Sequence, residues 1–358
     1  MKPIILTLPM MPVDSNNYGK FVTPIVCETL KNVLNGKYYH CVNILDSFND
    51  RSKNIEQYVK SLNENHIYYD YLWYDYNYIS KLLFNINVLI KNGYIFELNS
   101  NVYRCDCGIV EIEKNKISTC NPNNLKFYYK DGNMICKFCG KICHEYNEKI
   151  LVFMPNKIKL SDINILPSYL EKDIKTYEKT ILNSYITISR NRNTGAQINY
   201  NGRKYNVDID FLWATYLNLF EEQEKIVVSG NKMIYQLFLT FVLEKCLNQK
   251  SNTFLLGTPY ITNIKDIYNE PDFINDEYLR KLFVLFSMKW QKKEIIYDNT
   301  ILRYLKNISP DKRKKLYDII NREYKFNCNF SDYKNLELML KKQINMQETV
   351  KTLKIEGR

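Results

Sequence analysis

The first 45 residues restrict the fold more than any other part of the chain. Residues 3–8 (Pro-Ile-Ile-Leu-Thr-Leu) form an apolar run of strand length. A helix-periodic stretch then reaches Leu34, Asn35-Gly36 closes it, and residues 38–45 form a second strand-like run. Strand, helix, strand in this order opens a right-handed parallel α/β unit, whose sheet must be covered on both faces. Pro24 belongs in the first helical turn, where its missing N–H does no harm, and Thr23 is the expected cap.

The α/β pattern returns late in the chain. Residues 184–188, 225–229 and 253–256 read as strands, and stretches around 211–220 and over 233–246 read as helices. In between, residues 53–96 carry helical periodicity, with Leu82, Leu83, Ile86, Leu89 and Ile90 on one stripe. The tyrosines from Tyr68 to Tyr78 are expected to pack a helix junction. Residues 101–155 change character to short strand-like pieces with Cys-Gly turns, which suggests an insertion. Residues 266–350 read as helices, one opening at Ser309-Pro310 with serine as cap. The expected fold is therefore α/β: a Rossmann-like parallel sheet with a zinc-knuckle insertion and a C-terminal helical segment. Residues 1–100 and 161–265 are its two core halves, 101–160 the insertion and 266–354 the helical region. Residues 355–358 (Ile-Glu-Gly-Arg) spell a protease-cleavage tag and are set aside as a tag remnant.

Six of the ten cysteines lie between positions 105 and 143. The other four, Cys27, Cys41, Cys246 and Cys328, stand singly among apolar neighbours, as small core residues do. Ten cysteines in a 358-residue chain, with no signal peptide expected from its broken apolar start, point to a reducing, cytoplasmic setting. No apolar run approaches bilayer length, so no membrane partner is expected.

Cys105-Asp106-Cys107-Gly108 and Cys136-Lys137-Phe138-Cys139-Gly140 are two turn-like thiol pairs. Zinc takes four ligands in a tetrahedron, and a Cys-x₂-Cys-Gly turn offers two sulfurs to one ion. Cys105, Cys107, Cys136 and Cys139 are thus the candidate ligands of a structural zinc. The first pair is one residue short of knuckle spacing, so Cys120, Cys143 and His144 stand as substitutes, and a knuckle without metal is the alternative. Four thiolates close the coordination sphere, which argues against a catalytic metal.

The segment Ile188-Ser189-Arg190-Asn191-Arg192-Asn193-Thr194-Gly195-Ala196-Gln197-Ile198 resembles the "I-S-R-x-R-x-W-G-x-P-I" segment of class I aminoacyl-tRNA synthetases of the methionyl, leucyl and cysteinyl kind. As in that family, it follows the cysteine-bearing insertion. Asn43-Ile44-Leu45-Asp46 followed by Asn49-Asp50 is similar to the family's "N-I-T-D-x-D-D" strand end. Gly93-Tyr94-Ile95-Phe96 leading to Tyr103-Arg104-Cys105 is similar to the entry to its knuckle. The resemblance implies a Rossmann-like core, an amino acid or aminoacyl ligand, ATP, and tRNA as partner. It makes Met11, Asp46, Arg190 and Arg192 candidates for the aminoacyl pocket, with bracing of the insertion as the alternative role of the two arginines.

The departures fall on the ATP motifs. Where the family carries an H-x-G-H turn, this chain has Asn17-Tyr18-Gly19-Lys20. The counterpart of the K-M-S-K-S loop, Pro259-Tyr260-Ile261-Thr262-Asn263, holds no lysine, and the "G-x-D" that meets ribose becomes Gly230-Asn231-Lys232. Asn17, Gly19, Lys20, Gly230 and Lys232 are the phosphate-turn candidates, with Lys20 or Lys232 able to supply a point charge. Ordinary ATP-driven activation is not expected from such motifs.

Basic residues exceed acidic ones by 50 to 39, a net charge of +11. Residues 289–325 hold +6 of it, with Trp290, Tyr297, Tyr304, Tyr317 and Tyr324 interleaved. Lysines and aromatics together can track phosphates and stack bases, so RNA is an expected partner; a solvated helical face is the alternative. Three functions compete: a synthetase-like protein that keeps an aminoacyl or tRNA-end pocket with little charging activity, an active ligase with rebuilt phosphate contacts, and a pseudoenzyme that binds RNA or a protein partner.

Overall fold

The computed structural model describes residues 2–12, 18–45, 54–107, 110–112, 117–118, 127–155, 158, 160, 163–190, 196–220, 223–247, 253–262, 275–288, 290, 294–296, 299–323 and 333–356. Asn17, Asp46, Arg192, Cys120, Tyr297, Tyr324 and Cys328, all singled out above, lie outside these residues.

Six strands form one parallel sheet in the order Asn164–Leu166, Thr253–Thr258, Lys225–Gly230, Ile4–Thr7, Lys37–Val42, Tyr71–Tyr74. The first strand is central, with Ile4 level with both Lys225 and Lys37. Alternate side chains enter two different cores. Ile5, Tyr38, Ile226, Val228 and Phe254 face the helix Val22–Val33 and the C-terminal helices. Ile4, Leu6, Cys41, Val227 and Leu255 face the opposite layer, which includes the helices Ile79–Lys91, Glu171–Asn183 and Ile234–Cys246. This doubly covered parallel sheet is the expected Rossmann-like architecture.

Local details differ from the expectation in instructive ways. The first helix starts at Val22, so Thr23 is inside it rather than capping it, and its hydroxyl lies 3.1 Å from that of Thr258. Pro24 is in the first turn as expected. Gly36 is required where it stands, because a Cβ there would meet the Pro3 carbonyl oxygen at 2.7 Å. The tyrosine-rich stretch is not a helix junction: Tyr71–Tyr74 is an edge strand pairing with Lys37–Val42. Cys27, Cys41 and Cys246 are fully buried core residues.

The chain then leaves the core on a long ribbon. Ile95–Arg104 and His144–Phe153 pair antiparallel over their full length, from Ile95 opposite Phe153 to Arg104 opposite His144. Beyond the core halves come the helices Glu277–Ser287, Asn299–Lys306, Pro310–Ile320, Tyr333–Gln343 and Met346–Glu356. Ser309 caps the third of these, accepting from the Lys312 amide. The last helix runs through Ile355 and Glu356, the start of the tag-like tetrapeptide. A strand, Glu294–Ile296, interrupts the region and pairs with Tyr260–Thr262.

A buried charge cluster fastens these helices to the first one. Lys281 Nζ lies 2.7 Å from Glu28 and 2.9 Å from Glu277, between the rings of Tyr68 and Tyr317 at 4.6 and 5.2 Å. The Tyr317 hydroxyl donates to Glu28 at 2.9 Å. Burial pushes the Glu28 carboxyl up, and the lysine and hydroxyl work against that rise. No helix among the described residues is long and apolar enough to cross a membrane.

Candidate metal centre and sheet-edge site

The tip of the ribbon gathers the cysteines. Cys105 follows the outgoing strand, and the hairpin Phe127–Lys130 and Asn133–Cys136 supplies the second pair. Asp131 and Gly132 turn that hairpin at φ 50° and 77°, the left-handed region suited to a two-residue loop. The knuckle itself is closed by Gly140 N donating to Cys136 O at 2.9 Å and Phe138 N donating to Cys136 Sγ at 3.3 Å. Gly140, at φ 71°, allows the sharp return.

The four sulfurs of Cys105, Cys107, Cys136 and Cys139 lie within 4.8 Å of one another. Cys105 and Cys107 are 2.6 Å apart, and Cys107 and Cys136 are 3.5 Å apart. Cys105 and Cys136 are buried, while Cys139 is exposed. Burial, then the neighbouring thiols, push the Cys107 thiol well above its ordinary range, and push Cys143 up to about 12. Thiols raised this way need a cation to ionise them, and a soft donor set of this kind fits a zinc-like divalent metal. Cys143 is buried against Cys105 and Cys136, whereas His144 is exposed.

The second candidate region is the carboxyl rim of the parallel sheet. The chain leaves the central strand first to one side and later to the other, and the carboxyl ends on either side of such a reversal form a crevice. Gly19 and Lys20 lie in the turn Tyr18–Phe21 that leads into the first helix, which the Thr23–Thr258 contact holds against the rim. Gly230 is level with Thr258 at the end of its strand, and Lys232 follows in the next turn with Nζ 4.2 Å from the centre of the Tyr260 ring. Asn231 donates to the Tyr169 hydroxyl at 2.7 Å. The Gly19–Lys20 turn and the Gly230–Lys232 turn thus both lie at the carboxyl end of the sheet.

Met11 is exposed just past Met10, whose backbone bonds extend the central strand alongside Cys41 and Asn43. Asp75, which the sequence reading passed over, shapes the neighbouring strand end. Asp75 is fully buried and accepts from the Ile44 and Leu45 amides at 2.9 and 3.1 Å. The Asn43 side-chain oxygen and the Trp73 indole N–H are buried without hydrogen-bond partners among the described residues.

Arg190 is held by an acid from a neighbouring segment. Its guanidinium forms a buried ion pair with Asp208, the residue that also caps the helix Ile209–Ala214 by accepting from the Asp210 and Phe211 amides. The signal for Asp208 was present as an acid just ahead of an apolar helical stretch. Its partner 18 positions upstream was not deducible from spacing.

The basic tail divides by face. Arg303, Lys306, Lys312, Lys314 and Lys315 are exposed. Trp290 and Tyr317, expected to stand among them, are buried in the core, and Tyr304 is half-buried. Arg313 is buried as well, bonded to Asp276 at 2.9 and 2.7 Å. The lysine surface can attract phosphate, but Trp290 and Tyr317 offer it no stacking platform.

No known family profile matches the chain, and no curated protein matches it in sequence. Among solved structures, methionyl-tRNA synthetase of Mycobacterium tuberculosis in complex with methionyl-adenylate superposes with a TM-score of 0.64 at 11% identity, covering 89% of this chain and 70% of that one. A second methionyl-adenylate-bound structure of that enzyme gives 0.63 at 11% identity over 86% and 68%. Its apo form gives 0.57 at 11% identity over 84% and 65%. At such identity the likeness is one of fold: the chain has a class I synthetase-like fold.

Proposed function

We propose that this chain is a divergent class I aminoacyl-tRNA-synthetase-like protein that keeps a pocket for an aminoacyl group or a tRNA end and has weak or absent ATP-dependent charging. The reading rests on one combination: the fold of an adenylate-forming synthetase, with Lys20 and Lys232 on the carboxyl rim where the family sets imidazoles and a ribose-binding acid. The buried Asn43 oxygen and Trp73 N–H, without partners among the described residues, add support, since buried polar groups normally find a partner and a ligand can supply one.

Adenylate formation develops negative charge on the leaving pyrophosphate, and losing one preorganised donor there costs about a hundredfold or more. A lysine attracts phosphate as a point charge, without the planar donor geometry of an imidazole. Lys232 has no acceptor for a ribose hydroxyl and rests on the Tyr260 ring. Phosphate binding can therefore outlast transition-state stabilisation. The zinc-like ion held by Cys105, Cys107, Cys136 and Cys139 would supply a structural cross-link at the ribbon tip.

ATP–pyrophosphate exchange, assayed with every standard amino acid, should be slow or undetectable. The two rim lysines favour one second reading, an active ligase with rebuilt phosphate contacts. Exchange that is robust and abolished by Lys20→Ala would establish that reading. Robust exchange insensitive to Lys20→Ala would show that the active-site turn lies elsewhere. Absence of both exchange and RNA binding would leave the protein-partner role.

A further inference from the structure

Of the substitute ligands that the sequence offers, Cys143 is the one that, among the described residues, packs against Cys105. The antiparallel ladder ends at Arg104 opposite His144, and Cys105 and Cys143 are the next residues outward on its two strands. Cys143 is 5% exposed and packs with Cys105, Cys136 and Met134, while its neighbours Ile142 and His144 are exposed. Its amide donates to Met134 O at 2.8 Å, and the Cys136 amide donates to Lys141 O at 2.9 Å. These two bonds hold Cys143 against the knuckle.

Cys107, in contrast, is placed poorly for joint ligation with Cys105. Two thiolates on one tetrahedral zinc, with metal–sulfur bonds of about 2.3 Å, sit about 3.8 Å apart. The Cys105 and Cys107 sulfurs are 2.6 Å apart, with a single residue between them. They must spread by about 1 Å to share an ion, whereas Cys143 is already buried against Cys105 and Cys136.

We propose that the ribbon tip is a five-thiol site in which Cys143 is a second-choice ligand that replaces Cys107 around the same divalent metal. Cys105, Cys136 and Cys139 then form the constant part of the site, and the fourth position exchanges between the half-buried Cys107 and the buried Cys143. Exchange moves the ion inward without changing its donor type. With Cys107 released, a thiol is available near the surface while the metal stays bound.

Cobalt(II) reports the number of thiolates through its sulfur-to-metal charge-transfer band, and the full-length chain is the sample. Cys107→Ser should keep one cobalt with a four-thiolate spectrum and lose less than about tenfold in affinity. Cys143→Ser should also keep four thiolates. The double variant should fall to three thiolates and lose at least about a hundredfold in affinity. A three-thiolate spectrum in Cys107→Ser alone, with the parent showing four, would overturn this inference and leave the metal centre standing. No charge-transfer band in the parent chain would overturn both. Circular dichroism melting of each variant identifies any that fails to fold; if Cys107→Ser does so, Cys107→Ala carries the same test.

Discussion

At the scale of single residues, the buried polar groups make the sharpest tests. His40 is fully buried between the Tyr38 hydroxyl, 2.6 Å from Nδ1, and the Tyr58 hydroxyl, 2.8 Å from Nε2. A neutral imidazole donates to one of them and accepts from the other, so the ring needs no charge. Burial lowers its pKa from 6.5 to about 3. The unfolded chain therefore binds a proton below about pH 6.5 that the folded chain refuses until about pH 3, and stability falls as pH drops through that window. Between pH 7 and pH 5 the contribution lost is about 2 kcal/mol. His40→Asn should flatten this part of the pH dependence in chemical denaturation, and an unchanged slope would refute the assignment. Arg190→Ala strands a buried carboxylate on Asp208, which should cost about 3–5 kcal/mol of stability. The drop in melting temperature should exceed any loss of ligand binding, and the reverse pattern would move Arg190 to a pocket. Asp75 was illegible in the sequence because the amides it accepts from, Ile44 and Leu45, lie about 30 positions upstream, and His40 because one of its partners, Tyr58, comes from a helix 18 positions on.

Among elements, what was legible was what is local. Ile4–Leu6, Ile226–Val228 and Phe254–Leu256 are continuous apolar runs, because both faces of the sheet are covered there, and they stand out for that reason. Tyr71–Tyr74 was hidden because four aromatic-rich residues sit between two helical stretches and imitate their periodicity. The tail misled in a related way. Lys312, Lys314 and Lys315 run directly into Leu316, Tyr317 and Ile320 in sequence, but on the helix the lysines are exposed and the apolar set is buried. The Cys136–Cys139 pair was legible since its spacing is itself the ligand geometry, and the shorter Cys105–Cys107 pair through its likeness to it. The ribbon carrying them spans ten residues per strand, roughly 30 Å. Freshly purified protein should carry about one zinc per chain. Its removal by a strong chelator should open the tip and leave the parallel sheet folded. Tryptic cleavage after the exposed Lys130, Lys137 and Lys141 should speed up by about tenfold or more, the effect of about 1.4 kcal/mol of local opening. Cleavage unaffected by chelation would mean that no metal organises the tip.

For the molecule as a whole, charge and connectivity set the remaining expectations. RNA binding should weaken steeply with salt, because it would rest on lysine–phosphate contacts rather than on stacking. Replacing Lys312, Lys314 and Lys315 together should lower the salt slope by roughly 2–3, while ATP–pyrophosphate exchange stays unchanged. Arg313 between them must be left in place, since it holds Asp276 and the Leu305 and Ile308 carbonyls from inside. A salt-independent affinity would point to a different surface. The Glu28–Lys281–Tyr317 cluster also has a consequence in time. Glu28 and Lys281 are 253 residues apart, so a ribosome adding about 5–20 residues per second releases the glutamate roughly 10–50 s before its lysine exists. Through that interval the first helix carries an acid it cannot bury, and the central strand lacks one of its two neighbours. The nascent N-terminal half must therefore wait, open to chaperones and proteases alike, for the far end of its own chain.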